Sequence, residues 1–124
     1  MAKKIIVIDD SRTARQIVCT ALVSAGYEVI EAVDGQDGIT KLLEHEDAAL
    51  VLCDVNMPNV NGLEMLVRMR AEHPSLKMPV VMVTTEADLA LVQKAKQNGA
   101  KGWIVKPFKE HMLVAAVRKL VGDV

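Results

Sequence analysis

The sequence predicts an α/β fold, a three-layer sandwich in which a parallel five-stranded sheet carries helices on both faces. Two observations predict it. Strand-like and helix-like segments alternate five times along the 124 residues, the pattern of repeated βα units. Three of the strand segments, those at Ile5, Leu50 and Val80, are near-continuous apolar runs, as parallel strands buried on both faces require.

Lys3 to Ile8 is the first strand, ended by Asp9-Asp10-Ser11. Ala14, Ile17, Val18, Ala21 and Leu22 recur at helical spacing, and Gly26 supplies the stop. Tyr27 to Ile30 is a short strand flanked by Glu28 and Glu31. Asp34 is placed to cap a second helix with apolar positions Ile39, Leu42 and Leu43, although Gly35 and Gly38 weaken its first turn. Leu50 to Cys53 is a strand running into Asp54. Pro58, Asn59, Asn61 and Gly62 then forbid strand and helix until Leu63. Leu63, Leu66 and Val67 mark the third helix. Pro79 opens the strand Val80 to Val83, ended by Thr84-Thr85. Glu86 to Asn98 is the fourth helix, stopped by Gly99, and Gly102 to Lys106 the fifth strand, ended by Pro107. Leu113, Ala116, Val117 and Leu120 give a last helix that runs almost to Val124.

The three most apolar strands belong in the middle of the sheet. The strands bearing Glu28 and bearing Lys101 and Lys106 belong at its edges. Right-handed crossovers then give the order 2-1-3-4-5, the flavodoxin-like doubly wound arrangement. In that order the first and third strands are neighbours and the connection reverses direction between them. Asp9 and Asp10 therefore come beside Asp54 at the carboxyl rim of the sheet, where open α/β folds bind ligands. Thr84 ends the adjacent strand and Lys106 the next, so five polar residues far apart in sequence converge.

Composition bounds the function. Hydrophobic residues make up 51% and charged residues 25%, as in a globular domain, and residues 1–124 read as one domain. Fifteen basic and 16 acidic residues leave a net charge of −1, which suggests neither nucleic acid nor a membrane surface as partner. The apolar run from Ile5 to Ile8 is too short for a signal peptide, and no run reaches the ~18 residues of a membrane span. Cys19 and Cys53 lack metal-site spacing and read as buried reduced thiols of a cytoplasmic protein. His45, His73 and His111 have no mutual metal spacing and are expected at the surface. The seven methionines are expected to fill core gaps.

Three carboxylates at one rim repel and need a cation, or one must stay protonated. Hard oxygen ligands select Mg²⁺ or Mn²⁺ over zinc. A divalent ion plus Lys106 balances Asp9, Asp10 and Asp54. Asp54 is then a candidate nucleophile in aspartyl-phosphate chemistry, with the Lys106 ammonium and the Thr84 hydroxyl binding the oxygens of the transferred group. Taken singly, these residues have plainer readings: Asp10 or Ser11 as helix caps, Lys106 as an edge-strand charge. Taken together they do not.

The acidic pair Asp9-Asp10, the segment from Asp54 through Asn56-Met57-Pro58 to Gly62, the hydroxyl at Thr84 and Lys106-Pro107-Phe108 resemble a response-regulator receiver domain over essentially the whole chain. Val83-Thr84-Thr85-Glu86-Ala87 and the run from Gly99 through Trp103 to Phe108 resemble the stand-alone chemotaxis regulators of that family. The resemblance implies that Asp54 takes a phosphoryl group from a sensor histidine kinase or phosphotransfer protein. It implies a Mg²⁺ site of Asp9, Asp10, Asp54 and the Asn56 backbone carbonyl, with Thr84 and Lys106 on the phosphoryl oxygens. It further implies that Asn56 and Thr85 tune the loss of the phosphoryl group, and that Lys106-Pro107 is a cis peptide. Trp103 stands where the family places a switch aromatic, usually Tyr or Phe. The output surface is expected on the fourth helix, fifth strand and last helix, with Leu89, Val92 and Trp103 on the partner face. A separate output protein, such as a flagellar motor switch component, would read it.

The resemblance implies a signalling module, not an enzyme. A flavin carrier would need a hydroxyl- and glycine-rich phosphate loop where Asp9 and Asp10 stand. A haloacid-dehalogenase-type phosphatase would carry Asp-x-Asp there and a cap domain. Receivers that dimerise for DNA binding usually carry an Asp pair where this chain has Ala100-Lys101-Gly102, so a monomer is expected. The last helix closing at the terminus leads to the expectation of a whole protein, not a fragment.

Overall fold

A computed structural model describes residues 2–57, 60–85 and 89–122, without the side chain of Leu89. The expected start of the fourth helix at Glu86, the loop residues Pro58 and Asn59, and the Leu89 contact therefore lie outside the described residues. The elements are β1 (Lys4–Ile8), α1 (Arg12–Ser24), β2 (Glu28–Ala32), α2 (Gly35–Glu44), β3 (Leu50–Asp54), α3 (Gly62–Glu72), β4 (Val80–Thr84), α4 (Leu89–Gln97), β5 (Gly102–Val105) and α5 (Glu110–Val121). The sheet is parallel in the order β2-β1-β3-β4-β5, as charge and hydropathy predict.

Alternation along the strands divides the core in two. Ile5, Val7, Leu50, Leu52, Val81 and Val83 face Val18 and Leu22 of α1 and Leu113 and Val117 of α5. Ile6, Ile8, Val51, Cys53, Val80 and Met82 face Ile39 and Leu42 of α2, Met65, Leu66 and Met69 of α3, and Ala95 of α4. β3 and β4 are buried along their whole length, whereas Glu28 and Glu31 of edge strand β2 are exposed. Cys53 is buried and Cys19 half-buried, both as free thiols.

Local chemistry sets the helix ends. Ser11, not Asp10, caps α1, its side chain accepting from the Ala14 N–H. Asp34 caps α2 by accepting from the Asp37 N–H, and Asn61 caps α3 by accepting from the Glu64 N–H. Gly35 opens α2 because its backbone lies against another segment. A Cβ there would sit 2.3 Å from the Val60 carbonyl oxygen. Helical periodicity overstates the core. Ile17, Leu43, Val67 and Leu120, each expected to face inward, are exposed, because each packed stripe is narrower than the apolar pattern. Of the methionines, Met57, Met65, Met69, Met78 and Met82 are buried and Met112 is exposed. His45 and His73 are half-buried where they end α2 and α3, and His111 is exposed.

Candidate functional site

The parallel β1–β3 pairing, with Ile8 opposite Cys53, puts Asp9 and Asp54 on the same rim. One carboxylate oxygen from each of Asp9, Asp10 and Asp54 lies within 4.8 Å of the other two. Asp9 and Asp54 are buried and Asp10 is exposed. Asp9 Oδ1 accepts from the Ser11 N–H at 2.9 Å. Its Oδ2 lies 3.3 Å from Lys106 Nζ, which is also 3.5 Å from Asp54 Oδ1. Lys106 follows β5, its N–H donating to the Thr84 carbonyl, and the Lys106–Pro107 peptide is cis.

Burial, then the neighbouring Asp9, pushes the Asp54 carboxyl from 3.8 up to about 6, against the pull of Lys106. Burial likewise raises the Cys53 thiol and so makes it inert. The cluster thus holds more negative charge than Lys106 compensates. Its donors are hard carboxylate oxygens, and a divalent cation would close the balance, so these residues fit Mg²⁺ or Mn²⁺.

Thr84 ends β4 one residue beyond Val83, the register partner of Asp54. It is buried, and its hydroxyl donates to the Thr85 carbonyl at 3.0 Å. Asn56 is exposed two residues past Asp54. Gly62 permits that loop to close, since a Cβ there would lie 2.4 Å from the Asp54 carbonyl oxygen. The sequence marks Gly62 only as a breaker, because its approach to Asp54 exists only in three dimensions. Arg15 escaped sequence reading too. Its guanidinium donates to the Asp9 carbonyl at 2.7 Å and to Glu31 Oε1 at 2.9 Å. A cation soon after an acidic pair, with a glutamate near the end of the next strand, is the signal that could have found it.

On the expected partner face Trp103 is 40% exposed, and Lys96 Nζ lies 4.0 Å from its ring centroid. Val92 does not share that face. At 2% exposure it packs inward together with Ala95, one turn on. An apolar cavity of about 420 Å³ beside the cluster is lined by Ala14, Ile17, Val18, Thr85, Lys106, Pro107 and Phe108. No helix among the described residues is long and apolar enough to cross a membrane.

A sheet of this order with an acidic cluster and one lysine at its rim defines a receiver. The response regulator receiver domain family matches residues 5–118, and the chain belongs to that family of signalling modules. Within it, the chain is similar to chemotaxis proteins. It is 38% identical to the chemotaxis protein CheY homolog of Campylobacter jejuni over 96% of this chain and 92% of that protein. It is 37% identical to chemotaxis protein CheY1 of Helicobacter pylori over 96% and 97%. The solved structure of Vibrio cholerae CheY4 superposes with a TM-score of 0.87 at 34% identity, covering 97% of this chain and 99% of that one.

Proposed function

We propose that this chain is a phosphorylation-activated signalling protein of a two-component system, and that Asp54 is its phosphoacceptor. The observation that carries the reading is the convergence of Asp9, Asp10, Asp54 and Lys106 at the β1–β3 switch point. Asp9, Asp10, Asp54 and the Asn56 carbonyl would hold Mg²⁺, with Mn²⁺ as substitute. When bound, the cation supplies neutralising charge to the carboxylates and coordination to phosphoryl oxygens.

The donor is a phosphohistidine on a sensor kinase or phosphotransfer protein. An Asp54 carboxylate oxygen attacks phosphorus, the P–N bond breaks, and its electron pair leaves with the imidazole. Lys106 faces the developing charge, and the Thr84 hydroxyl turns from the Thr85 carbonyl to a phosphoryl oxygen. Water later hydrolyses the acyl phosphate, so the chain promotes only its own phosphorylation and dephosphorylation. The resemblance to chemotaxis proteins favours a cytoplasmic monomer. Its output would be a separate protein, such as a flagellar motor switch component, reading the face that carries Trp103.

Incubation with labelled acetyl phosphate tests the core of this reading. Label should enter the wild type only with Mg²⁺ or Mn²⁺ and should not enter Asp54→Ala. Equal labelling of the variant would sink it.

A further inference from the structure

We propose that Arg15 is a positioning residue for the cation site, acting through Asp9. The inference rests on the reading that the acidic cluster takes a divalent cation.

Both backbone polar groups of Asp9 are held. Its N–H donates to the Ala32 carbonyl at 3.1 Å, just beyond the β1–β2 ladder. Its carbonyl accepts from Arg15 Nη1 at 2.7 Å. The Arg15 side chain is only 12% exposed, and its Nε is paired with Glu31 Oε1. The Arg15 N–H in turn donates to the Ser11 carbonyl. One planar guanidinium thus joins the end of β1, the first turn of α1 and edge strand β2. With the backbone of Asp9 fixed on both sides, Oδ1 meets the Ser11 N–H and Oδ2 is left facing Lys106 and the cluster. Arg15 is the side-chain constraint in that set. Its fork satisfies two acceptors at once, which an ammonium on a flexible stem does not reproduce. Glu31 offsets its charge, so the clamp does not itself repel a cation.

Charge and geometry make opposite predictions. By Coulomb's law, deleting a positive group near three carboxylates tightens cation binding. Loss of a group that aims a ligand weakens it. The sign of the change in Mg²⁺ affinity therefore separates the two.

The test is calorimetric titration of the full chain with MgCl₂, for wild type, Arg15→Lys and Arg15→Ala, with thermal melts alongside. Arg15→Lys keeps the charge and loses the fork. It should weaken Mg²⁺ binding by about tenfold, the lower end for outer-shell partners of metal ligands. Arg15→Ala should weaken binding as well, against the electrostatic expectation. Unchanged or tighter Mg²⁺ binding by the folded variants, even with lowered melting temperatures, overturns the positioning role. Where Arg15→Ala fails to fold, Arg15→Lys decides. If the wild type takes up no Mg²⁺, the cation reading itself fails and the inference with it.

Discussion

The Lys106 ammonium stands 3.5 Å from Asp54 Oδ1 and ties the residue after β5 to the last residue of β3. Because it also reaches Asp9, it occupies the ground a cation would share. Lys106→Met should therefore tighten Mg²⁺ binding by removing a competing charge. The same change should slow phosphorylation by about 10²-fold, through loss of a donor on the transferred oxygens. Titration calorimetry and acetyl-phosphate labelling rates check the two effects together. Weaker Mg²⁺ binding alongside slower labelling would mean that the rim had collapsed.

Asp54 makes stability depend on pH in an unusual direction. Its carboxyl is raised from 3.8 to about 6 by burial and by Asp9. Between about pH 4 and about pH 6 the folded state therefore binds more protons than the unfolded chain, and stability falls as pH rises through that window. Above it, ionised Asp54 carries the full penalty, on the order of 3 kcal/mol. In metal-free buffer Asp54→Asn should be more stable than wild type by about that amount at pH 7.5, with the gap closing by about pH 4. Parallel urea titrations across this range measure it. A gap that does not change with pH would show that Asp54 ionises without cost.

Strand order was legible because edge strands carry charge. Glu28 and Glu31 marked β2, Lys101 and Lys106 marked β5, and the meeting of Asp9, Asp10, Asp54 and Lys106 followed from topology alone. The helix faces were less legible. Periodicity locates an apolar stripe but not how much of it a neighbour covers, so Ile17, Leu43, Val67 and Leu120 were placed inside and lie outside. Val92 failed the other way. A run of apolar residues on a short helix does not show which of them turns inward. Arg15 left only a faint trace in the sequence, because Glu31 meets it only after β1 and β2 pair.

Gly35 offers a contest between propensity and packing. In an exposed helix Gly→Ala gains up to about 1 kcal/mol. Here the added Cβ would lie 2.3 Å from the Val60 carbonyl oxygen and under 3 Å from two Val60 side-chain carbons. Backbone cannot retreat as a side-chain tip can, and overpacking of this kind costs about 1–3 kcal/mol. Gly35→Ala should therefore lower the urea midpoint. A stabilised variant would show that the segment at Val60 yields freely.

The Lys96 ammonium lies 4.0 Å from the ring centroid of the exposed Trp103. Such a contact contributes about 0.5–1 kcal/mol at an exposed site. Across the sheet edge, the Thr84 hydroxyl is occupied by the Thr85 carbonyl. Modification of Asp54 offers it charged acceptor oxygens instead, and its rotation should free space beside β4 for the Trp103 ring. Coupling between such sites is typically about 1–3 kcal/mol, short of the roughly 5.5 kcal/mol of a complete switch. Mg²⁺ with beryllofluoride, which mimics the phosphoryl group, should therefore shift Trp103 emission to the blue and reduce its quenching by acrylamide. Thr84→Ala should abolish that response while Asp54 still reacts. Lys96→Ala removes this contact. It should lower the beryllofluoride midpoint by about two- to fivefold, the ratio that 0.5–1 kcal/mol sets between the two ring positions. Trp103 is the only tryptophan, so the signal is unambiguous. Constant emission and quenching while Asp54 is modified would make Trp103 a fixed residue. An unmoved midpoint in Lys96→Ala would mean that Lys96 covers the ring without restraining it.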